Sequence, residues 1–298
     1  MNKNPARSRK QRSVRVGVIH NGIQVEDAFS ARHDISLIRS VRTLPFVLLH
    51  YDVLIVPTHA DQAMLFRLKR PLIRYLQLGG VLILLGATTQ GRRWMPLFQW
   101  EQEFTRSVAL DKSTEDGKRV FKGIDTPEYL KYHSKYFGHG SITVSVAQGD
   151  QVLARDQAAR SVIVVRRLPK GGIIFVTTLD PDYHTSVPVP GPAEEKVEVT
   201  HRKAGHLLEN IVNWGIWAAQ DTPKRFRRRL LGWILPTVSI IGMVMFYMLP
   251  VAAFVLLVLP AMTRDIVPLG RIVTAVAFLG SLASIYAFFM NFISKKTE

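Results

Sequence analysis

Four polar clusters in this sequence each follow directly on a short apolar run: His20-Asn21, Thr58-His59, Thr88-Thr89-Gln90, and Asp180 with Asp182 and His184. Histidine titrates near neutral pH and serves as a general acid or base. A carboxylate beside it holds the ring in one tautomer, so His184 with Asp180 or Asp182 is the candidate acid–base pair. Thr88 is the candidate nucleophile, although a hydroxyl at its ordinary pKa needs an adjacent base. His20, Asn21, Thr58, His59, Thr88, Thr89 and Gln90 form the candidate ligand pocket. The competing reading is a remnant crevice whose polar groups satisfy loop backbone. His20, His59, His139 and His184, with Asp180 or Asp182, are ligand types for zinc or manganese. They are scattered without a compact spacing, so the expectation is no metal and no cofactor. No glycine-rich phosphate loop follows the first apolar run.

The elements that would position these clusters are legible as apolar runs. Val14–His20, Asp52–Pro57 and Val81–Leu85 read as strands, the last continuously apolar as in a sheet covered on both faces. Ile35–Ile38 is a further short candidate. Gln62–Leu78 carries Met64, Leu65, Leu68, Leu72, Ile73 and Leu76 at helical spacing. Asp61 is the expected N-cap and Gly79-Gly80 the stop. Strand, helix, strand with short connections is βαβ order. The second half reads as more antiparallel, with strands over Ser141–Val146, Gln151–Ala154, Ser161–Arg167 and Gly172–Thr178. A loop from Thr177 to His184 and an amphipathic helix over Ala204–Ala219 complete this domain. In an open α/β sheet the strand C-termini form the ligand crevice, and all four polar clusters follow strands.

Charge and hydropathy divide the chain further. Lys and Arg number 39 against 23 Asp and Glu, a net charge of +16, and there is no cysteine. Disulfides, cysteine-held zinc and a thiol nucleophile are therefore excluded. Residues 1–15 carry six basic residues and no acid, and 224–229 carry five and no acid, whereas the body between them is almost neutral. From Leu230 to Met262 and from Ile272 to Ser294 no residue is charged. A spanning helix needs about 20 apolar residues. The second run fits one span; the first is long for one and short for two. The reading is a basic tail over 1–13, an α/β domain over 14–222, and a juxtamembrane segment with two transmembrane helices over 223–298. The spans fall at about 235–259 and 269–293, with three spans broken at Pro250 as the alternative. The basic block before the first span and Lys295-Lys296 after the second put both ends inside by the positive-inside rule. Residues 1–229 are then expected on the cytoplasmic side of the inner membrane. Lys224, Arg225, Arg227, Arg228 and Arg229 are the expected contacts to anionic headgroups. Nucleic acid is not an expected partner, because the basic residues are accounted for by topology and no aromatic–basic module accompanies them.

The order of motifs VGVIHNG, YDVLIVPTHAD, a helix ending in LGG, VLILLGATTQG, KGGIIFVTTLDPDYH and AGHLLENIVNWG resembles the class I glutamine amidotransferase-like domains, within them the ThuA-like branch. The resemblance covers about residues 14–219. It implies a flavodoxin-like, amidotransferase-like mixed α/β sheet. It also implies that the turn Gly86-Ala87-Thr88-Thr89-Gln90-Gly91 stands where catalytic members carry their nucleophilic cysteine. With no thiol there, glutamine hydrolysis is not expected.

These observations lead to one main expectation. The chain is a membrane-anchored, non-catalytic amidotransferase-like domain that binds a ligand or partner and scaffolds a membrane complex. Its expected partners are the bilayer and other membrane subunits, or a second copy packed through the small residues of the spans. One alternative is a tethered hydrolase or sugar-modifying enzyme using His184, Asp180 and Asp182. Another is a membrane-disrupting effector gated by the soluble domain.

Overall fold

The computed structural model describes residues 13–19, 28–29, 34–39, 45–58, 60–86, 94–95, 98–101, 105–131, 140–143, 149–186, 194–220, 222 and 242. The chain divides into two units, Met1–Leu230 and Leu231–Glu298. Every described strand and helix belongs to the first. Apart from residue 242, both expected membrane spans and the 224–229 block lie outside the described residues. Among the described residues no helix is long and apolar enough to cross a membrane.

The first unit is an α/β domain built on a ten-stranded mixed sheet. Its parallel part consists of β1 (Val16–Ile19), β2 (Ile35–Ile38), β3 (Val53–Val56), β4 (Val81–Leu84) and β10 (Ile173–Thr177). They lie in the order β2-β1-β3-β4-β10, and every neighbouring pair is parallel. The other half is antiparallel: β9 (Ser161–Arg167) pairs with β10, and β8 (Asp150–Asp156) and β7 (Ser141–Thr143) pair with β9. Two strands that the sequence pattern left unread, β5 (Gln99–Glu101) and β6 (Val108–Leu110), extend that half by pairing with β7 and β8. Three residues are too few to show a period of two, which is why neither is visible as a pattern.

The central strands are buried on both faces, as their uninterrupted apolar runs imply. On one face Val53, Ile55, Val81, Ile83, Ile173 and Phe175 form a continuous core with the helix Glu194–Gln220. The alternate residues Leu54, Val56, Leu82, Leu84, Ile174 and Val176 are equally buried but do not belong to that cluster. They face the other way, on the side to which α1 (Gln62–Arg67) and α2 (Lys69–Gln77) contribute Leu65, Leu68, Leu72 and Leu76. The result is a three-layer arrangement with helices on both faces of the sheet.

The helix expected over Gln62–Leu78 is two helices broken at Leu68. Asp61 caps the first as expected, its carboxylate accepting from the N–H groups of Ala63 and Met64 at 2.9 and 3.1 Å. The break has a cause in Pro71, which lacks the N–H that would bond the carbonyl of Arg67 and whose ring crowds that carbonyl. The chain stops at Gly79, whose φ of +82° favours glycine.

A buried carboxylate ties the antiparallel half to the closing helix. Asp116 lies on α3 (Glu115–Val120), a short helix capped by the Thr114 hydroxyl. Its Oδ1 accepts from the Trp214 indole N–H and from Arg167, each at 2.8 Å. One oxygen therefore joins α3, β9 and the long closing helix. In Trp214→Phe an aromatic ring is kept, but a donor to a buried carboxylate is lost and a small cavity is left. The expected cost is about 1–3 kcal/mol, read as a lower thermal midpoint with unchanged far-ultraviolet circular dichroism.

Candidate functional site

At the C-terminal edge of the sheet, β3, β4 and β10 end side by side. β3 continues into Pro57-Thr58, β4 into Leu85-Gly86, and β10 into Thr178-Leu179-Asp180. The segment after β10, expected as a loop, forms the short helix α4 (Pro181–Ser186). The signal was present: Asp180-Pro181 places proline at the first helical position, where its missing N–H costs nothing. Within this turn the Thr185 hydroxyl donates to the Pro181 carbonyl at 2.7 Å.

The helix carries Asp182 back toward β3. The Thr58 backbone N–H donates to Asp182 Oδ2 at 2.8 Å, and the Thr58 hydroxyl donates to Oδ1 at 2.5 Å. Both carboxylate oxygens are thus engaged by one residue 124 positions away in sequence. Thr58 and Asp182 are both buried. Burial raises the Asp182 pKa above the ordinary carboxylate range, with the neighbouring Asp180 charge adding to the rise, while the two bonds from Thr58 pull the other way. Desolvation is the larger effect, so folding favours the protonated form of Asp182.

Gly86 packs directly against Thr58. Its φ is +65°, and its N–H donates to the Leu179 carbonyl at 2.8 Å. A side chain there would approach Thr58 Cγ2 to 2.3 Å and Oγ1 to 2.4 Å. The first residue of the turn that the resemblance assigns to a nucleophile is therefore a packing point between β3 and β10.

His184 lies one turn after Asp180. Its Nε2 stands 3.6 Å from Asp180 Oδ1, within ion-pair reach but beyond a hydrogen bond. Both residues are buried, His184 at 2% and Asp180 at 5% exposure, and the His184 ring meets Tyr183 edge-on at 5.3 Å. Thr58, Asp180, Asp182 and His184 are therefore brought to one edge of the sheet, Thr58 at the end of β3 and the other three after β10, with β4 between. The two carboxylates have different surroundings. Asp182 is bound to Thr58 rather than set beside His184, which leaves Asp180 as the carboxylate near the ring. His20, Asn21, His59, His139, Thr88, Thr89 and Gln90 lie outside the described residues. Among the described residues no three metal-ligating side chains come together.

No family model matches this chain, and no curated protein matches it significantly.

A cavity of about 370 Å³ opens on the other side of α4, between it, α5 (Glu194–Gln220) and Phe29. Thr185, Leu208, Glu209 and Val212 are among its lining residues. Thr58, the one expected pocket residue among the described residues, is not part of that lining. Periodicity could not have revealed it, because Leu208 and Val212 read as ordinary core positions of an amphipathic helix.

The raised pKa of Asp182 has a defined sign in stability. A carboxyl whose folded pKa lies above its unfolded value near 3.9 contributes stability below that value and loses it as pH rises through the folded pKa. The stability advantage of the natural chain over Asp182→Asn should therefore narrow as pH rises from about 4 toward neutrality. Denaturant titrations of both proteins across that range measure it, and a gap independent of pH would refute the assignment. Gly86→Ala should cost about 1–3 kcal/mol in the same titrations, by displacing Thr58.

Proposed function

We propose that the chain is a membrane-anchored, non-catalytic amidotransferase-like domain, held on the cytoplasmic face of the inner membrane. It acts as a ligand- or partner-binding and scaffolding subunit of a membrane complex. The observation that carries the non-catalytic reading is the Thr58–Asp182 pair. At the sheet edge where this architecture does its chemistry, the best-placed carboxylate is buried and engaged through both oxygens. A chain without cysteine supplies no thiol to the adjacent turn. The sheet order β2-β1-β3-β4-β10 supports the amidotransferase-like reading, because it is the doubly wound order found in flavodoxin-like folds. In that order the strands diverge between β1 and β3, so the ligand crevice belongs at the ends of Ile19 and Val56. The polar residues His20, Asn21, Thr58 and His59 follow those ends in sequence. The burial of His184 and Asp180 weighs against the hydrolase alternative, which needs them to reach a substrate.

The anchor rests on the two uncharged runs, 230–262 and 272–294. Tagged full-length protein should sediment with membranes, resist alkaline carbonate extraction and, in mild detergent, copurify with a fixed set of membrane subunits or with itself. Release by carbonate would overturn the anchor. A stable monomer free of partners would overturn the scaffolding role.

A further inference from the structure

We propose that the outer face of α1 and α2 is a docking surface for an anionic lipid bilayer, with Phe66 entering the headgroup region and Arg67, Lys69 and Arg70 holding phosphates.

The two helices bury Met64, Leu65, Leu68, Leu72, Tyr75 and Leu76 against the domain. Of the positions left, Ala63, Phe66, Arg67 and Arg70 are exposed, and Lys69, Ile73, Arg74 and Gln77 are half-buried. Phe66 is 59% exposed, and it is the large apolar side chain most open to solvent among the described residues. Arg67 and Arg70 are exposed beside it, with Lys69 and Ile73 half-buried at the margin. An aromatic side chain ringed by cations is the composition of a helix that lies in a bilayer interface.

Charge complementarity decides the sign of the partner. From Gln62 to Trp100 the chain contains six Lys and Arg and no Asp or Glu. The contrast with α3 is direct. There Glu115 lies within ion-pair distance of Lys118 and Arg119 one turn on, at 3.4 and 3.9 Å. Among the described residues no acid is paired with Arg67, Lys69 or Arg70. Exposed cations with no acid paired to them among the described residues are suited to an external polyanion, and the exposed Phe66 among them favours a surface with an apolar interior over a nucleic acid or an acidic protein. The choice of a bilayer also rests on the membrane anchor proposed above.

Because the chain has no cysteine, one introduced cysteine reports on one position. Full-length protein carrying Ala63→Cys or, as a control on the opposite layer, Lys122→Cys is spin-labelled and placed in nanodiscs of neutral or anionic lipid. Collision with oxygen reports lipid exposure and collision with a nickel chelate reports water. The label at 63 should become oxygen-accessible and nickel-protected in anionic discs alone, while the label at 122 stays aqueous in both. Arg67→Glu with Arg70→Glu should return the label at 63 to water, since each lost cation weakens surface binding about fivefold and each new carboxylate is repelled by the anionic lipid. An unchanged circular dichroism spectrum and thermal midpoint show that the variant is folded.

A label at 63 that stays aqueous in anionic discs overturns the proposal, as does one shielded from both reagents, which marks a protein contact instead. Carbonate washing reads the anchor separately. A chain that resists washing while position 63 remains aqueous leaves the anchor standing and refutes the face. A chain that washes out after position 63 has read lipid supports the face and refutes the anchor.

Discussion

The bond pair between Thr58 and Asp182 is the constraint on which the sheet edge depends. It joins the end of β3 to the helix after β10 across the intervening end of β4. Three strand tips are held in one arrangement, and Gly86 must be glycine because the space for a side chain is already taken by Thr58. A carboxylate used in this way is costly: it is desolvated beside a second carboxylate, and the two bonds from Thr58 only partly offset that. A group buried at this cost and engaged through both oxygens holds a geometry, whereas a substrate would need one of those oxygens.

The same logic recurs in the antiparallel half, where buried charges also join distant elements. Arg166 on β9 meets Asp150 on β8 through two guanidinium nitrogens, with both side chains buried and the guanidinium 4.3 Å from the centre of the Phe98 ring. Asp116 gathers Arg167 and Trp214. Arg166 and Arg167, neighbours on one strand, thus point to opposite faces and fix β9 from both sides. Well-packed apolar residues in these places could give equal stability, but they would not specify register so strictly. That matters for β9, the strand at which the parallel sheet turns antiparallel.

The parallel core was the most readable part of the sequence, for a physical reason. Strands buried on both faces must be apolar throughout, so VLIV at 53–56 and VLIL at 81–84 announce themselves, and Asp61 marks the start of α1 by its capping chemistry. What remained hidden depended on tertiary contacts or on single residues. Pro71 splits a helix whose apolar periodicity continues through the break. Asp180-Pro181 starts a helix that a run of polar residues disguises as a loop. In the candidate site the sequence grouped Asp180, Asp182 and His184 correctly after β10. It could not say which carboxylate stands near the histidine, because that is decided by Thr58, which arrives from another strand. The closing helix begins at Glu194 rather than Ala204 because its first turns are too charged to show an apolar stripe.

Net charge is the property that the fold reinterprets most. Summed over residues 16–223 the domain is nearly neutral, which argues against a polyanionic partner for its body. The sum conceals a segregation along the chain. The 39 residues from Gln62 to Trp100 hold cations without a single acid, while most acids of the domain follow Trp100. Folding turns this linear asymmetry into a spatial one, because α1 and α2 cover one face of the sheet whereas α3 and α5 belong to the core on the other. Fields near a protein surface fall off within about 10 Å at moderate salt, so what a partner meets is the local face rather than the domain total. A neutral average and a strongly basic helix layer are compatible for that reason, and the helix layer is the quantity that selects a partner.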